Sequence, residues 1–248
     1  LEFRRVLFRS AALLWSLKRI EIIPEFLYDA PEQTADLFKR MWPFDWKFYG
    51  AAIHAALIET FHIATLGTLL ALILALPLSF LAARNFTRSP WLNWVAHFIF
   101  VSSRSVNSLI WALLFVAIFG PGALAGVLSI ACRSVGFVGK LFGEALEEAQ
   151  RGPVEALMAC GAPRSLIVAK GYWPQVEPAF WSVALLRWDI NIREATVLGL
   201  VGAGGIGMNL ESSMGTLAWP QVSLILLVVL GTVVASEYVS ARVRAAVS

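Results

Sequence analysis

Three stretches of this chain contain no Asp, Glu, Lys or Arg: Ile63 to Ala83, Ser105 to Cys132 and Ser212 to Ser236. A helix crossing a bilayer needs about 20 residues at a rise of about 1.5 Å each, and every one of these runs is long enough. A soluble chain of 248 residues has too little surface to hide several such helices. Composition agrees: 58% of residues are hydrophobic and 15% charged, against about half and about a quarter in soluble domains. The expected fold class is all-α, a polytopic transmembrane helix bundle. The formal charge of +3 does not call for nucleic acid, because Lys and Arg of membrane proteins gather in cytoplasmic loops. Cys132 and Cys160 are far apart, and His54, His62 and His97 are scattered. Neither set has metal-ligand spacing.

Leu1 to Ser10 reads LEFRRVLFRS, lacks an initiator Met and resembles the in-frame translation of a sequencing-library adapter. We set residues 1–10 apart as a sequencing scar. Residues 11–55 are then expected to hold the tail of a truncated first membrane helix, Ala11 to Trp15, and an extramembrane segment. The stretch Lys18 to Tyr49 is too charged to span and places Trp42, Phe44, Trp46 and Phe48 near the headgroups. Residues 56–244 are expected to be the transmembrane domain.

Five full spans are expected there. They run from Ala56 to Ala83 with a kink at Pro77, from Trp91 to Phe119 interrupted by polar Ser102 to Ser108, from Ala123 to Phe142, from Pro178 to the glycines after Gly199, and from Pro220 to Val239. The basic residues form three groups: Arg84 and Arg88; Lys140, Arg151, Arg164 and Lys170; Arg242 and Arg244. An even number of spans separates them, so all three share the cytoplasmic side.

The polar region 143–175 carries the mechanism. Gly152-Pro153 suits a helix start, with Glu155 in the first turn where the dipole favours an acid. Gly161 suits a left-handed helix end. Pro163 restarts a second helix and Pro174 ends it at the membrane. Glu155, Ala156, Gly161 and Pro174 resemble the EAA loop of binding-protein-dependent ABC importer permeases. That pattern reads Glu-Ala-Ala, three residues, Gly, nine residues, Ile, any residue, Leu-Pro. Leu157, Gly171 and Trp173 depart from it.

Gly202-Ala203-Gly204-Gly205-Ile206-Gly207 fits G-x-G-x-x-G. It follows a membrane span rather than a strand, and no acid stands about 20 residues on, so a dinucleotide site is rejected. No Gly-Lys-Ser/Thr follows, so no phosphate loop is expected either. The chain therefore needs ATP hydrolysis from a partner. Gly202, Gly204, Gly205 and Gly207 suit either an unwound gate lining a cavity or close helix packing. The wider stretch Asn191 to Gly207, together with Glu144 to Glu148 and Leu109 to Phe115, resembles phosphonate importer permeases. Methionine importer permeases share a similar glycine segment. Asn107 stands where phosphonate importer permeases often carry Pro, which leaves a kink there open.

Charges within the spans offer two readings. Arg104, Arg187 and Arg193 line an anion path, or Asp189 and Glu194 neutralise the arginines as structural pairs. Asp189 and Arg193 are four apart and share a helix face. Arg133 lies in the third span.

The resemblance implies a type I importer permease, similar to the methionine importer permease in its core. It implies a second permease subunit, cytoplasmic ATPase subunits that hold ATP and Mg²⁺, a periplasmic binding protein and a place in the bacterial inner membrane. No covalent chemistry and no cofactor belong to this chain. The rivals are a permease for methionine or another small solute, a membrane-embedded enzyme and an ion channel. An enzyme would need a catalytic cluster at a membrane face, and none stands out in the sequence.

Overall fold

The structure, a computed structural model, describes residues 2–19, 24–87 and 89–247; Arg88 of the basic loop lies outside them. All regular elements among the described residues are helical. The chain forms two units, Leu1–Pro43 and Phe44–Ser248. The first holds α1 (Glu2–Arg19) and α2 (Pro24–Arg40). Residues 2–10 of the expected scar and the Ala11 to Trp15 run both fall in α1; Leu1 lies outside the described residues.

The second unit contains α3 (Trp46–Phe48), a π turn at Tyr49–Ile53, α4 (His54–Ala82), α5 (Pro90–Ser105), α6 (Ser108–Phe119), α7 (Ala123–Glu148) and α8 (Arg151–Ala159). It continues through α9 (Arg164–Leu166), a π turn at Ile167–Tyr172, α10 (Trp173–Leu198), α11 (Ile206–Gly215) and α12 (Trp219–Val247). This unit begins before the expected boundary at Ala56, because Phe44, Phe48 and Tyr49 pack on buried Ile206, Leu224 and Ile225.

Helix α7 touches α4, α5, α6 and α10. Small residues permit these approaches, as expected where helices associate by packing rather than by the hydrophobic effect. A Cβ at Gly67 of α4 would meet Ile130, and one at Gly139 of α7 would enter the Phe100 ring of α5. Ser79 of α4 ties the two helices further, donating to the Gly139 carbonyl at 3.0 Å.

Among the described residues, three helical stretches are long and apolar enough to cross a membrane: Trp46–Ala82, Ala123–Glu148 and Trp219–Val243. The expected second span is two helices, α5 and α6, bent by 90°. The pair still advances along α7. Phe100 lies on Gly136 and Gly139, Ser108 meets Arg133, and Val116 comes up beside Gly202. It therefore behaves as one broken crossing. The bend needs no proline, because the Asn107 side chain accepts the Leu109 N–H at 3.1 Å and caps α6. Replacing Asn107 with Ala is expected to cost about 1 kcal/mol, seen as a lower midpoint in thermal unfolding of the detergent-solubilised protein.

The expected fourth span, now α10, fails the apolar criterion. Arg187, Asp189, Arg193 and Glu194 fall close together in it. It nevertheless runs the depth of the bundle. Phe180 packs on Phe142 near one end of α7, and Leu198 clusters with Ile130 and Ala203 towards the other. Arg187 and Asp189 are buried inside protein, where side chains replace water, while Arg193 keeps an exposed side.

Candidate functional site

Two regions carry chemistry. The first is the elbow formed by α8 and α9. Helix α8 starts at Arg151 with Gln150 as its N-cap, earlier than Gly152-Pro153 suggested, so Glu155 lies beyond the first turn. Gln150 finds another anchor. Its N–H donates to Gln175 Oε1 at 2.8 Å, and Gln175 Nε2 donates back to the Gln150 carbonyl at 3.3 Å. That side-chain clamp supplies what a Gly-Pro start was expected to supply.

Gly161 has φ +73°, the left-handed conformation that glycine adopts at little cost. The second helix begins after Pro163, which is its N-cap rather than its first residue. Pro174 does not end it. The chain stays helical from α9 through the π turn into α10, with Pro174 in the first turn of α10. The wide turn falls where the proline nitrogen has no hydrogen to donate.

Gly171, a departure from the family pattern, is buried under α8, and a Cβ there would lie 3.3 Å from both Leu157 and Val154. Only Val154 of α8 is buried; Glu155, Ala156, Met158 and Cys160 are exposed. The elbow thus holds the bundle by one edge and offers a free, small-residue face. Its seat is aromatic. Tyr172 packs on Phe86 at 4.5 Å, Phe86 on Phe80 at 5.0 Å, and Phe142 on Phe180 at 5.1 Å between ring centroids.

The second region is a network of charges at mid-depth. Arg133 Nη1 of α7 donates to Glu194 Oε1 at 2.6 Å and Arg187 Nη2 to the same oxygen at 3.4 Å. Arg187 is 4% exposed, and its Nε donates to Ser134 Oγ at 2.9 Å. Ser134 in turn donates to Asn191, whose amide donates to Thr68 of α4 at 2.8 Å. Arg193 pairs with Asp189 at 2.5 Å, and Ser236 of α12 donates to the other Asp189 oxygen at 2.9 Å. Two polar systems thus meet on α10, one tying it to α7 and α4 and the other to α12, and they pair the charges that are buried.

Of the expected path residues, Arg187, Asp189, Arg193 and Glu194 therefore come together in pairs. Arg104 does not join them: Ser103 turns inward onto the Cys132 carbonyl, while Arg104 is exposed and forms no ion pair among the described residues. Arg133 is the hub that the sequence reading left outside the path. A charged residue followed by Ser134 in an otherwise apolar span was the available signal.

Gly202, Gly204 and Gly205 lie in an unwound link between α10 and α11, and Gly207 falls in the first turn of α11. Gly202, Gly204 and Gly205 have φ of +86°, +84° and +73°. Here Gly204 abuts Ala123, Gly205 abuts Thr60, and Gly207 abuts Gly199 and the Thr196 carbonyl. Thr60 Oγ1 takes the Ile206 N–H at 2.9 Å. The link follows a helix, not the strand that a dinucleotide site would require.

Against this architecture, the family described as "Binding-protein-dependent transport system inner membrane component" matches residues 75–244. The chain belongs to this family. Among relatives of this permease, the phosphite transport system permease protein PtxC of Stutzerimonas stutzeri is 42% identical over 76% of the chain and 68% of PtxC. The phosphate-import permease protein PhnE of Mycolicibacterium smegmatis is 37% identical over 94% of the chain, which spans 44% of PhnE's length. The inward-facing MetNI methionine ABC transporter shares the fold, with a TM-score of 0.67 over 79% of this permease and 96% of that chain at 21% identity.

Proposed function

We propose that this permease forms half of the membrane pathway of an ATP-driven importer for a small phosphorus oxyanion, such as phosphite, a phosphonate or phosphate. A second permease subunit completes the pathway, and a periplasmic binding protein delivers the cargo. Cytoplasmic ATPase subunits bind ATP and its Mg²⁺ and grip Glu155 to Gly161 of the elbow. Their closing and opening drives the bundle between outward and inward access. The observation that carries this reading is the exposed α8 face braced on α4, α7 and α10 through rigid aromatic contacts. Force applied there reaches every helix that bears the charge network.

Sidedness follows from the basic groups at Arg84, at Lys140 to Lys170 and at Arg242, which an even number of crossings separates and which favour the cytoplasm. The cargo class follows the names of the relatives and suits a network with more guanidinium than carboxylate. The glycine link Gly202 to Gly207 closes the opposite end of α10 and is the natural gate, because left-handed glycines can repack without side-chain strain.

Reconstituted with its ATPase and binding protein, the permease is expected to take up phosphite or methylphosphonate with ATP, and not methionine. Methionine uptake without phosphorus oxyanion uptake would refute the cargo.

A further inference from the structure

Among the described residues, two buried side-chain polar atoms have no hydrogen-bond partner: Glu194 Oε2, an acceptor, and Trp111 Nε1, a donor. Buried polar atoms are ordinarily paired, so each orphan calls for an account. Glu194 belongs to the charge network, and Trp111 lies on the helix that borders it. Ser108 lies one turn before Trp111 on α6 and receives a hydrogen bond from Arg133 at 3.3 Å, and Arg133 holds the other Glu194 oxygen. Ala112, next to Trp111, shares a buried cluster with Ala195, next to Glu194.

The charges do not cancel either. Arg133 and Arg187 meet one carboxylate, which leaves 2 − 1 = +1. Among the described residues, these two arginines are the charged groups bonded to Glu194. Helix α6 contributes only Ser108 and Trp111, and no charged group of α4 or α12 is bonded to Glu194. The side chain of Arg133 is 31% exposed, so the network is open on that side.

We propose that Arg133, Arg187, Glu194 and Trp111 form a seat for a singly protonated phosphorus oxyanion. This rests on the cargo class proposed above and specifies its ionic form. Such a monoanion cancels the residual charge. Its P–O⁻ oxygens accept from the guanidiniums and from Trp111 Nε1, while its P–OH donates to Glu194 Oε2. Sulfate has no proton to give, and a phosphorus dianion would bring two negative charges to a residual charge of one. Both meet a carboxylate oxygen that repels them. A carboxylate in an anion site is thus the selecting element rather than a flaw.

The test is binding of radiolabelled phosphite to the purified permease–ATPase complex in nanodiscs, without binding protein. The second ionisation of a phosphoryl group falls at about pH 6. Wild-type affinity is expected to fall more than about tenfold between pH 6 and 8 as the monoanion is lost, with sulfate a poor competitor. Glu194→Gln replaces the orphan acceptor with a donor and raises the residual charge to +2. It should flatten the pH profile and let sulfate compete within about threefold of phosphite. Trp111→Phe should weaken phosphite binding about tenfold at pH 6 and keep the pH dependence.

Unchanged ligand preference in folded Glu194→Gln, or wild-type affinity in Trp111→Phe, would overturn the seat. Should Glu194→Gln fail to assemble, the wild-type pH profile and Trp111→Phe decide. Phosphite uptake by wild type together with inert seat variants would discard the seat and leave the proposed cargo standing. A wild-type complex that transports no phosphorus oxyanion would discard the cargo itself.

Discussion

Glu194→Ala is expected to cost about 3–5 kcal/mol of stability, the range for removing one partner of a buried ion pair. Glu194 Oε1 is shared by Arg133 at 2.6 Å and Arg187 at 3.4 Å, and Arg187 is 4% exposed. Truncation strands Arg187, which is buried, and takes the partner of Arg133, which keeps an exposed side. Arg187→Met should behave very differently. Arg133 still neutralises the carboxylate at 2.6 Å, the methionine fills similar volume, and what is lost is the bond to Ser134 and the longer one to Glu194. Its stability should stay within about 1 kcal/mol of wild type. Thermal unfolding in detergent, followed by tryptophan fluorescence, separates the two. Equal losses would mean that the arginines are held by something other than Glu194.

Gly207→Ala is the second large effect. A Cβ at Gly207 would collide with the Thr196 carbonyl and with Gly199, backbone atoms that cannot swing aside. Overpacking of this kind costs about 1–3 kcal/mol, and it falls where the first turn of α11 packs on the end of α10. Gly231→Ala in α12 meets nothing within 4 Å. There the methyl should stabilise the helix by about 0.5–1 kcal/mol, because it removes glycine's backbone freedom in the unfolded chain. Opposite signs for two chemically identical substitutions distinguish packing from propensity. A neutral Gly207→Ala would show that this junction is loosely packed.

How much of this was legible beforehand depends on range. Uncharged runs mark most of α4, α6, the first part of α7 and most of α12 directly, since the apolar demand of a bilayer is written residue by residue. The Asp189–Arg193 pair follows from four-residue helical spacing. The right angle at Val106–Asn107 was harder to read, because an asparagine cap can do what the absent proline was expected to do. The start of α8 depends on Gln175, distant in sequence, and so escaped a local reading.

Arg133 meets Glu194 across two helices far apart in the chain. Nothing in local spacing encodes that encounter. It also separates a hub from a bystander, since Arg104 has the same chemistry but faces outward. The tight packing of Gly199 to Gly207 is a tertiary property as well, and the same string read alone fits a nucleotide loop.

A native thiol tests the central claim. Cys160 is exposed at the tip of the elbow, and Cys132 lies partly buried in α7. In a Cys132→Ser background, a membrane-impermeant maleimide should label Cys160 in everted membrane vesicles and not in right-side-out ones, and bound ATPase subunit should slow that labelling. Labelling from the periplasmic side, or labelling indifferent to the ATPase, would contradict the account.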